Sequence, residues 1–273
     1  MKHLFFIFIA TMFFVVNGCA PKPYAKANKS YKSQAKSFVK QLTPLPVTDA
    51  NDTIKASPFL VGTTNFNLRK PNFVIIHHTA QHGCPETLKT FTTVSSKVSA
   101  HYVICKDGTV HHMLNDYMRA WQAGISKWGN VTDINSVSIG IEIDNNGFEP
   151  FTDAQINSLI SLLGKLKKEY DIPTANFIGH GDIAPGRKVD PSAYFPWKKL
   201  ADKGFGLWYD DVRESAPADF NNLQALRIIG YNVKDSINAI RAFKRHFFSD
   251  TTKSVILNDT VKNALYNLSK KYM

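Results

Sequence analysis

The chain has 273 residues, of which 44% are hydrophobic and 20% are charged, and its formal net charge is +11. This composition excludes a wholly disordered chain, and the length suffices for one sizeable core and a small satellite domain. The positive charge indicates an anionic partner, which at this level is nucleic acid, anionic lipid or an anionic polymer.

The N-terminus predicts export. Residues 4–16 carry no charge, and this apolar run is too short to anchor in a bilayer but suits the core of a signal peptide. Val16-Asn17-Gly18-Cys19 resembles a bacterial lipobox, in which the cysteine is diacylated, although Asn17 is not the usual small residue. The alternatives are a plain secretory signal with a chance cysteine and a short uncleaved anchor. With Ala20 after Cys19, we expect residues 1–18 to be a signal peptide and the mature protein to be an outer-membrane lipoprotein that faces the periplasm.

Export narrows the choice of partner and permits a disulfide. It excludes nucleic acid and leaves the membrane surface and the acidic cell wall. With Cys19 lipidated, Cys84 and Cys105 remain. An oxidising periplasm allows them to pair, but two free buried thiols are the alternative because the sequence does not give the distance between their Cα atoms. Neither cysteine has the spacing of a zinc cluster.

The central part of the chain predicts an α/β domain. Residues 19–55 are rich in Lys, Ser, Ala and Pro and predict a tether to a folded domain at 56–205. Short apolar or alternating runs predict strands at 73–78, 101–105, 110–114, 136–143 and 176–179, and helical spacing predicts helices at 85–94 and 152–169. Strands mixed with helices indicate a central mixed β-sheet flanked by helices.

The C-terminal part predicts a different fold. Apolar residues three and four positions apart predict helices at 220–230, 236–248 and 260–272. Asp235 and Asp259 precede two of these runs, where N-caps belong. Residues 210–273 are therefore predicted to form a small all-α domain of three helices.

Predicted strand ends carry polar side chains that an apolar core would not tolerate without a purpose. His77 lies at the end of the first strand. Glu142 lies beside Gly140, whose missing side chain would leave room for a ligand. His180 begins a loop made rigid by two prolines, and Asp190 follows it by ten positions. Two histidines and one carboxylate with an open fourth position form a catalytic zinc set, in which His77, His180 and Asp190 are the ligands.

The remaining charged residues complete a hydrolytic site. Zinc lowers the pKa of a bound water to about 7, so a nearby carboxylate, Glu142, can remove its proton. Lys188 lies two residues before Asp190 in an extended loop, points to the same side and suits the stabilisation of an oxyanion.

Structural roles and other kinds of site are alternative interpretations of the same residues. A lone histidine is usually structural, and glycine-rich loops with Asp are common turns. Adjacent His77 and His78 can also form an accidental metal pair. A carbohydrate-cleaving enzyme that uses Glu142 and Asp144 explains neither His77 nor His180, and two carboxylates so placed on one strand match poorly the pair that flanks a glycosidic bond.

Five segments of the chain occur in the same order and at the same intervals as in a known family. The chain resembles AmpD/AmiD-type N-acetylmuramoyl-L-alanine amidases, which share their fold with animal peptidoglycan recognition proteins and phage amidases. The likeness covers about residues 70–200, and its final loop is highly specific. The segments that carry it are Ile75-Ile76-His77-His78-Thr79-Ala80, Ser99-Ala100-His101-Tyr102-Val103-Ile104, Ala120-Trp121-Gln122-Ala123-Gly124, Ser138-Ile139-Gly140-Ile141-Glu142 and the loop from His180 to Pro191.

The resemblance implies a reaction and the roles of five residues. It implies hydrolysis of the amide bond between N-acetylmuramic acid, or its 1,6-anhydro form, and L-alanine in peptidoglycan or muropeptides. It implies that His77, His180 and Asp190 bind Zn²⁺. It also implies that Glu142 is the catalytic carboxylate and that Lys188 stabilises the transition state.

Other residues of these motifs are expected to contact substrate, and two positions differ from the family pattern. We expect His101, Trp121 and Arg187 to contact substrate, although His101 suits a structural role as well. The family often has Trp-His-Ala-Gly where this chain has Trp121-Gln122-Ala123-Gly124, so Gln122 replaces a histidine and contacts with the sugar are in doubt. Ser192 replaces a glycine after Pro191, which we interpret as a variation of the local turn.

The C-terminal helices resemble a three-helix peptidoglycan-binding module, with a helical appendage of the catalytic domain as the alternative. A second hypothesis for the whole chain is a peptidoglycan-binding or sensing protein that has the fold without the activity. Relatives of that kind typically lose a zinc ligand, whereas all the ligand positions are present here.

Overall fold

A computed structural model describes residues 22–42, 68, 70–211 and 214–273. The chain forms two compact units, residues 1–63 and 64–273. The described part of the first unit contains helix α1 (Ala25–Gln41), which was not predicted within the tether at 19–55. The signal peptide and Cys19 lie outside the described residues. Among the helices that the structure describes, none has both the length and the apolar character needed to cross a bilayer.

The second unit contains a five-stranded mixed sheet, as predicted. Its strands are β1 (Phe73–His78), β2 (Tyr102–Ile104), β3 (Val110–His112), β4 (Ser138–Ile143) and β5 (Phe177–Gly179). They are arranged in the order β3-β2-β4-β1-β5, and only the β2–β3 pair is antiparallel. The helices are α2 (Cys84–Thr92), α3 (Asp153–Tyr170), α4 (His180–Ile183), α5 (Trp197–Ala201), α6 (Asn222–Ile229), α7 (Ser236–Phe248) and α8 (Asp259–Lys270).

One face of the sheet packs against α3. The isoleucines of β4 at positions 139, 141 and 143 share a buried cluster with the apolar stripe of α3, which includes Leu159 and Leu163. Thr152 caps α3 in a capping box with Gln155, which satisfies free N–H groups at its start. Because side chains alternate along a strand, this packing directs Glu142 to the opposite face.

The opposite face packs against the C-terminal helices. Ile75 and Ile178 of the sheet belong to one buried cluster with Leu226, Phe243 and Leu265 of α6, α7 and α8. The three predicted helices are present, but they share this core with the sheet. The packing between the sheet and these helices is therefore continuous, and the domain boundary near residue 210 stays a prediction.

The structure tests the two predicted helix N-caps, Asp235 and Asp259. Asp235 caps α7 by accepting a hydrogen bond from the Asn238 N–H, as predicted. The predicted cap Asp259 is wrong, because Asn258 caps α8 and Asp259 lies in its first turn. Both side chains suit a helix N-terminus, and only the backbone decides which one is the cap.

Cys84 and Cys105 form a disulfide, with their Cα atoms 5.3 Å apart. The bond joins the start of α2 to the residue that follows β2. The alternative of two free thiols is therefore wrong. The bond closes a loop and so lowers the entropy of the unfolded chain.

A buried carboxylate joins the sheet to the C-terminal helices. Asp182 of α4 accepts hydrogen bonds from the Tyr231 hydroxyl (2.9 Å), the Gly179 N–H (2.9 Å) and Nδ1 of His246 on α7 (2.7 Å). The His246 ring stacks on Trp197 at a centroid distance of 3.9 Å. Burial alone would raise the pKa of Asp182, but His246 and the hydrogen bonds lower it. The group holds α4, which begins with His180, against α7.

We expect Asp182→Asn to lower the free energy of unfolding by about 3 kcal/mol at neutral pH, because it removes the charge that His246 and two other donors satisfy. The folded-state pKa of Asp182 lies below its unfolded value of about 3.9. Its contribution is therefore present above that pH and is lost as the pH falls through the folded pKa. Acid should thus destabilise the native chain more than the variant.

Urea unfolding at neutral and acid pH tests this expectation. The matched control is Asp202→Asn, which changes the same side chain in an exposed pair with Lys198 and should cost less than about 1 kcal/mol. Equal stability of the Asp182 variant and the native chain at neutral pH would contradict the role of the network.

Candidate active site

The three predicted metal ligands meet at one edge of the sheet. His77 lies near the end of β1 and His180 directly follows β5, and these neighbouring strands are parallel, so both side chains reach the same edge. Asp190 arrives from the loop after α4, and its Oδ2 lies 3.0 Å from Nδ1 of each histidine. All three are buried, and their ligand atoms lie within 4.8 Å of one another. The cluster can therefore hold one metal ion.

Hydrogen bonds behind the two rings orient them. Nε2 of His77 bonds to Oε1 of Gln122, and Nε2 of His180 bonds to the Ala123 carbonyl at 3.1 Å. These oxygens only accept, so each Nε2 is the donor, and in the neutral ring this leaves the lone pair of each Nδ1 for a metal. Two adjacent residues of one loop thus set the orientation of both imidazoles.

The electrostatics of the cluster suit a cation. Burial opposes the ionisation of Asp190, but hydrogen bonds and charge from His180 and His77 hold its pKa well below its usual value. Burial and the neighbouring His77 lower the pKa of His180 to about 4. At neutral pH the site therefore offers an anionic Asp190 and a neutral His180, which are protonation states that bind metal. Burial lowers the pKa of His77, but Glu142 and Asp190 outweigh this effect and raise it.

Glu142 lies beside the cluster. The β1–β4 register pairs it with His77, and its Oε1 is 4.0 Å from Nδ1 of that histidine. Burial and the nearby Asp190 charge raise the pKa of Glu142, while His77 and Lys188 act against this rise. Among the described residues, its buried Oε2 has no hydrogen-bond partner. A buried carboxylate oxygen without a protein partner is suited to a water molecule or a substrate proton.

Lys188 is close enough for its charge to act on the site. It is half-buried, and it affects the titration of both Glu142 and His78. Within the described part of the chain it forms no salt bridge, in contrast to Lys198 and Lys244. None of the described carboxylates therefore holds its ammonium group in an ion pair.

The space beside Gly140 has a different occupant from the one expected. A Cβ at this position would lie 2.6 Å from Cγ of Gln122, so the missing side chain makes room for Gln122 and not for a ligand. The Gln122 amide also donates to the Ser138 hydroxyl at 2.9 Å. This role of Gln122 was not predicted from the sequence, although its position after Trp121 in a family motif was a usable signal.

The three predicted substrate contacts have different environments. His101 is fully buried, and its Nδ1 accepts from the Gly140 N–H while its Nε2 bonds to the Met118 carbonyl, which favours a structural role, and its contact with substrate stays a prediction. Arg187 donates to the Ala123 and Ile125 carbonyls and thereby holds that loop. Trp121 is 55% exposed. Contacts of Arg187 and Trp121 with substrate stay predictions.

A further histidine supports the loop that carries Asp190. Nδ1 of His78 accepts a hydrogen bond from the Ser192 N–H at 3.0 Å, and burial lowers the pKa of His78. This bond ties the end of β1 to the residues just after Asp190. His78 is not part of the ligand cluster.

The carboxylate pair Glu142 and Asp144 does not form a second site. The buried Asp144 carboxylate accepts a hydrogen bond from the backbone of Cys84, at the start of α2. Glu142 instead faces His77. The structure gives no support to the carbohydrate-cleaving alternative.

We expect Gln122→Leu to weaken metal binding by about 10-fold to 100-fold, because it removes the oxygen that accepts from Nε2 of His77. Competition with a chromogenic chelator measures the affinity. Gln122→Glu is the matched control, since it keeps an acceptor oxygen in nearly the same shape and should bind metal at least as tightly as the native chain. Native affinity in the leucine variant would contradict the role of this hydrogen bond.

Comparisons with known proteins identify relatives of this chain. Residues 67–193 match the family model described as N-acetylmuramoyl-L-alanine amidase. The chain is 34% identical over 206 residues to the N-acetylmuramoyl-L-alanine amidase AmiD of Escherichia coli, which covers 64% of this chain and 74% of AmiD. It is 40% identical over 104 residues to the 1,6-anhydro-N-acetylmuramyl-L-alanine amidase AmpD of Haemophilus influenzae, which covers 38% of this chain and 56% of AmpD.

Solved structures extend the likeness to most of the chain. AmiD from E. coli, in complex with the substrate anhydro-N-acetylmuramic acid-L-Ala-D-γ-Glu-L-Lys, matches with a TM-score of 0.67 and 29% identity over 77% of this chain and 93% of AmiD. AmpDH3 from Pseudomonas aeruginosa, in complex with an anhydromuramic pentapeptide, matches with a TM-score of 0.68 and 30% identity over 81% of this chain and 98% of that one. The chain therefore belongs to the N-acetylmuramoyl-L-alanine amidase family.

Proposed function

We propose that the protein uses zinc to hydrolyse the amide bond between N-acetylmuramic acid, or its 1,6-anhydro form, and L-alanine in peptidoglycan or muropeptides. The observation that carries the proposal is the buried cluster of His77, His180 and Asp190 with Glu142 beside it. Two imidazole nitrogens and one carboxylate are a donor set that zinc favours, and three protein ligands leave a position for water or substrate. The unpartnered Oε2 of Glu142 fits a water at that position.

The residues divide the chemistry between them. A zinc ion at this site supplies Lewis acidity that lowers the pKa of water and polarises the scissile carbonyl. Glu142 removes the proton of the attacking water and delivers it to the L-alanine nitrogen as the C–N bond breaks. Lys188 stabilises the negative charge that develops on the carbonyl oxygen.

The relatives support the choice of substrate. AmiD has been solved with an anhydromuramyl tripeptide and AmpDH3 with an anhydromuramic pentapeptide. We infer that this chain binds muropeptides of the same class. The competing function, a non-catalytic peptidoglycan-binding or sensing protein, is disfavoured because the three ligands and Glu142 are all present in one cluster.

Digestion of purified peptidoglycan and of anhydromuropeptides tests the proposal. Mass spectrometry should detect free stem peptides that begin with L-alanine, and a chelator should abolish their release until zinc is restored. Release that continues at the full rate after chelation would exclude the zinc mechanism. If no substrate yields peptide while the chain still binds peptidoglycan, the binding function is correct instead.

We further propose that the protein is a lipoprotein of the cell envelope, held through lipid on Cys19 and facing the periplasm, as the N-terminal sequence predicts. Mass spectrometry of the mature N-terminus, with membrane fractionation of Cys19→Ala, tests this. An unmodified Cys19 would contradict it.

The C-terminal helices are proposed to bind the cell wall. Sedimentation with purified sacculi, using the chain with Glu142→Gln to prevent digestion, measures this binding. Surface substitutions on the helices, such as Ile228→Ser and Ile237→Ser, should weaken it because both side chains are exposed. Unchanged binding by both variants would indicate that these surfaces serve no such role.

A further inference from the structure

Helix α1 has two chemically distinct faces. At 100° per residue, one side carries an apolar stripe and the other carries lysines. The apolar stripe consists of Tyr24, Ala27, Tyr31, Ala35, Phe38 and Leu42, and the lysines are Lys22, Lys26, Lys29, Lys32, Lys36 and Lys40. Asn28 and Val39 lie on one border between the two faces, and Ser30, Gln34, Ser37 and Gln41 lie on the other. The helix is therefore amphipathic, with aromatic rings on one face and only positive charge on the other.

Both faces are exposed. No residue of α1 is buried, and Tyr24, Phe38 and Leu42 retain 44%, 48% and 70% of their accessible surface. Within the described residues, none of the six lysines forms a salt bridge, and the first acidic residue of the whole sequence is Asp49. Lysines four positions apart repel one another, which disfavours the helix in water. An anionic surface would remove this repulsion.

We propose that α1 binds an anionic phospholipid surface, with the aromatic stripe in the headgroup region and the lysines at the lipid phosphates. A basic helix with an aromatic apolar face is the type that lies in the plane of a membrane interface. Its lysines are attracted to anionic headgroups, and their long alkyl stems let the ammonium groups reach them. A second copy of the chain is a poorer partner, because two such helices would bring like charges together.

This surface differs from the lipid anchor and from the amidase site. It gives the polypeptide its own affinity for the membrane, which is sensitive to lipid charge, whereas an acyl chain inserts irrespective of headgroup charge. The proposal does not depend on the reaction, because it uses no residue of the candidate active site.

Vesicle flotation of the mature chain with Cys19→Ser, which carries no lipid, tests the proposal. The protein should bind phosphatidylcholine vesicles that contain phosphatidylglycerol, bind pure phosphatidylcholine vesicles far more weakly, and be released by high salt. Lys29→Gln/Lys32→Gln/Lys36→Gln should weaken binding about 100-fold. Tyr24→Ser/Tyr31→Ser/Phe38→Ser should weaken it by more than about 10-fold.

The matched control places the same charge change elsewhere. Lys165→Gln/Lys168→Gln/Lys203→Gln, at exposed positions of the second unit, should leave vesicle binding unchanged. All variants should cleave a soluble muropeptide at the native rate, so failure of the amidase reaction is separable from failure of membrane binding. Equal binding to both kinds of vesicle, or full binding by the aromatic variant, would overturn the proposal. So would self-association through α1, or lysine-dependent binding to sacculi without binding to vesicles.

Discussion

Glu142→Gln is expected to lower kcat by about 1,000-fold while the fold and the metal content stay native. Glutamine has nearly the shape of glutamate, but it cannot take a proton from water or pass one to the leaving nitrogen, and general acid–base catalysis contributes about 10²-fold to 10⁴-fold. The buried Oε2 has no partner among the described residues, so the substitution breaks no hydrogen bond that supports the fold.

Release of peptide from an anhydromuropeptide, followed at saturating substrate, measures the effect. KM should change little, because the carboxylate acts on the water and not on the bound sugar. The matched control is Glu169→Gln, which makes the same change at an exposed position of α3, on the other face of the sheet, and should keep native activity. If Glu142→Gln retains a large part of native kcat, another group is the base and the assignment of Glu142 is wrong.

Asp190→Ala is expected to abolish activity by removing one of the three ligands. The change also leaves Nδ1 of both His77 and His180 without the oxygen that now lies 3.0 Å from each. Loss of a hydrogen bond to a ligand weakens metal binding by about 10-fold to 100-fold, and loss of the ligand itself should weaken zinc binding further. The variant should therefore contain almost no zinc after exposure to a weak chelator.

Thermal unfolding with and without zinc separates loss of metal from loss of fold. Zinc should raise the Tm of the native chain, because a ligand that binds the folded state stabilises it, and should leave the Tm of the variant unchanged. Asp190→Asn, which keeps the size and one oxygen, should fold normally and bind zinc weakly. The control Asp202→Ala alters an exposed aspartate and should bind zinc as the native chain does. Native zinc binding by both Asp190 variants would exclude Asp190 as a ligand.

The sequence alone determined the parts of the fold that depend on local pattern. Alternation along β4 placed its isoleucines on one face and Glu142 on the other, and the structure has this arrangement. Helical periodicity predicted α3, α6, α7 and α8 to within a few residues. These features follow from the repeat of a strand or a helix, so neighbouring residues carry enough information to predict them.

Short helices, helix caps and the disulfide could not be predicted from the local sequence pattern. Helix α4 has four residues, too few for a periodic signal, and Asn258 and Asp259 are equally suited to cap α8. Pairing of Cys84 with Cys105 depends on a Cα–Cα distance of 5.3 Å that the packing of α2 on β2 creates. In each case the deciding quantity is a position in space.

The sequence proposed His77, His180 and Asp190 as one set, and ligand types and family motifs were sufficient for that prediction. Only the tertiary structure decided what holds them in place. Gln122 fills the space above Gly140 and bonds to His77, and the Ala123 carbonyl bonds to His180. These partners are distant in the chain, and the parallel neighbours β1, β4 and β5 bring them together. Likewise, the C-terminal helices share a core with the sheet because their apolar stripes are buried against the sheet face opposite α3.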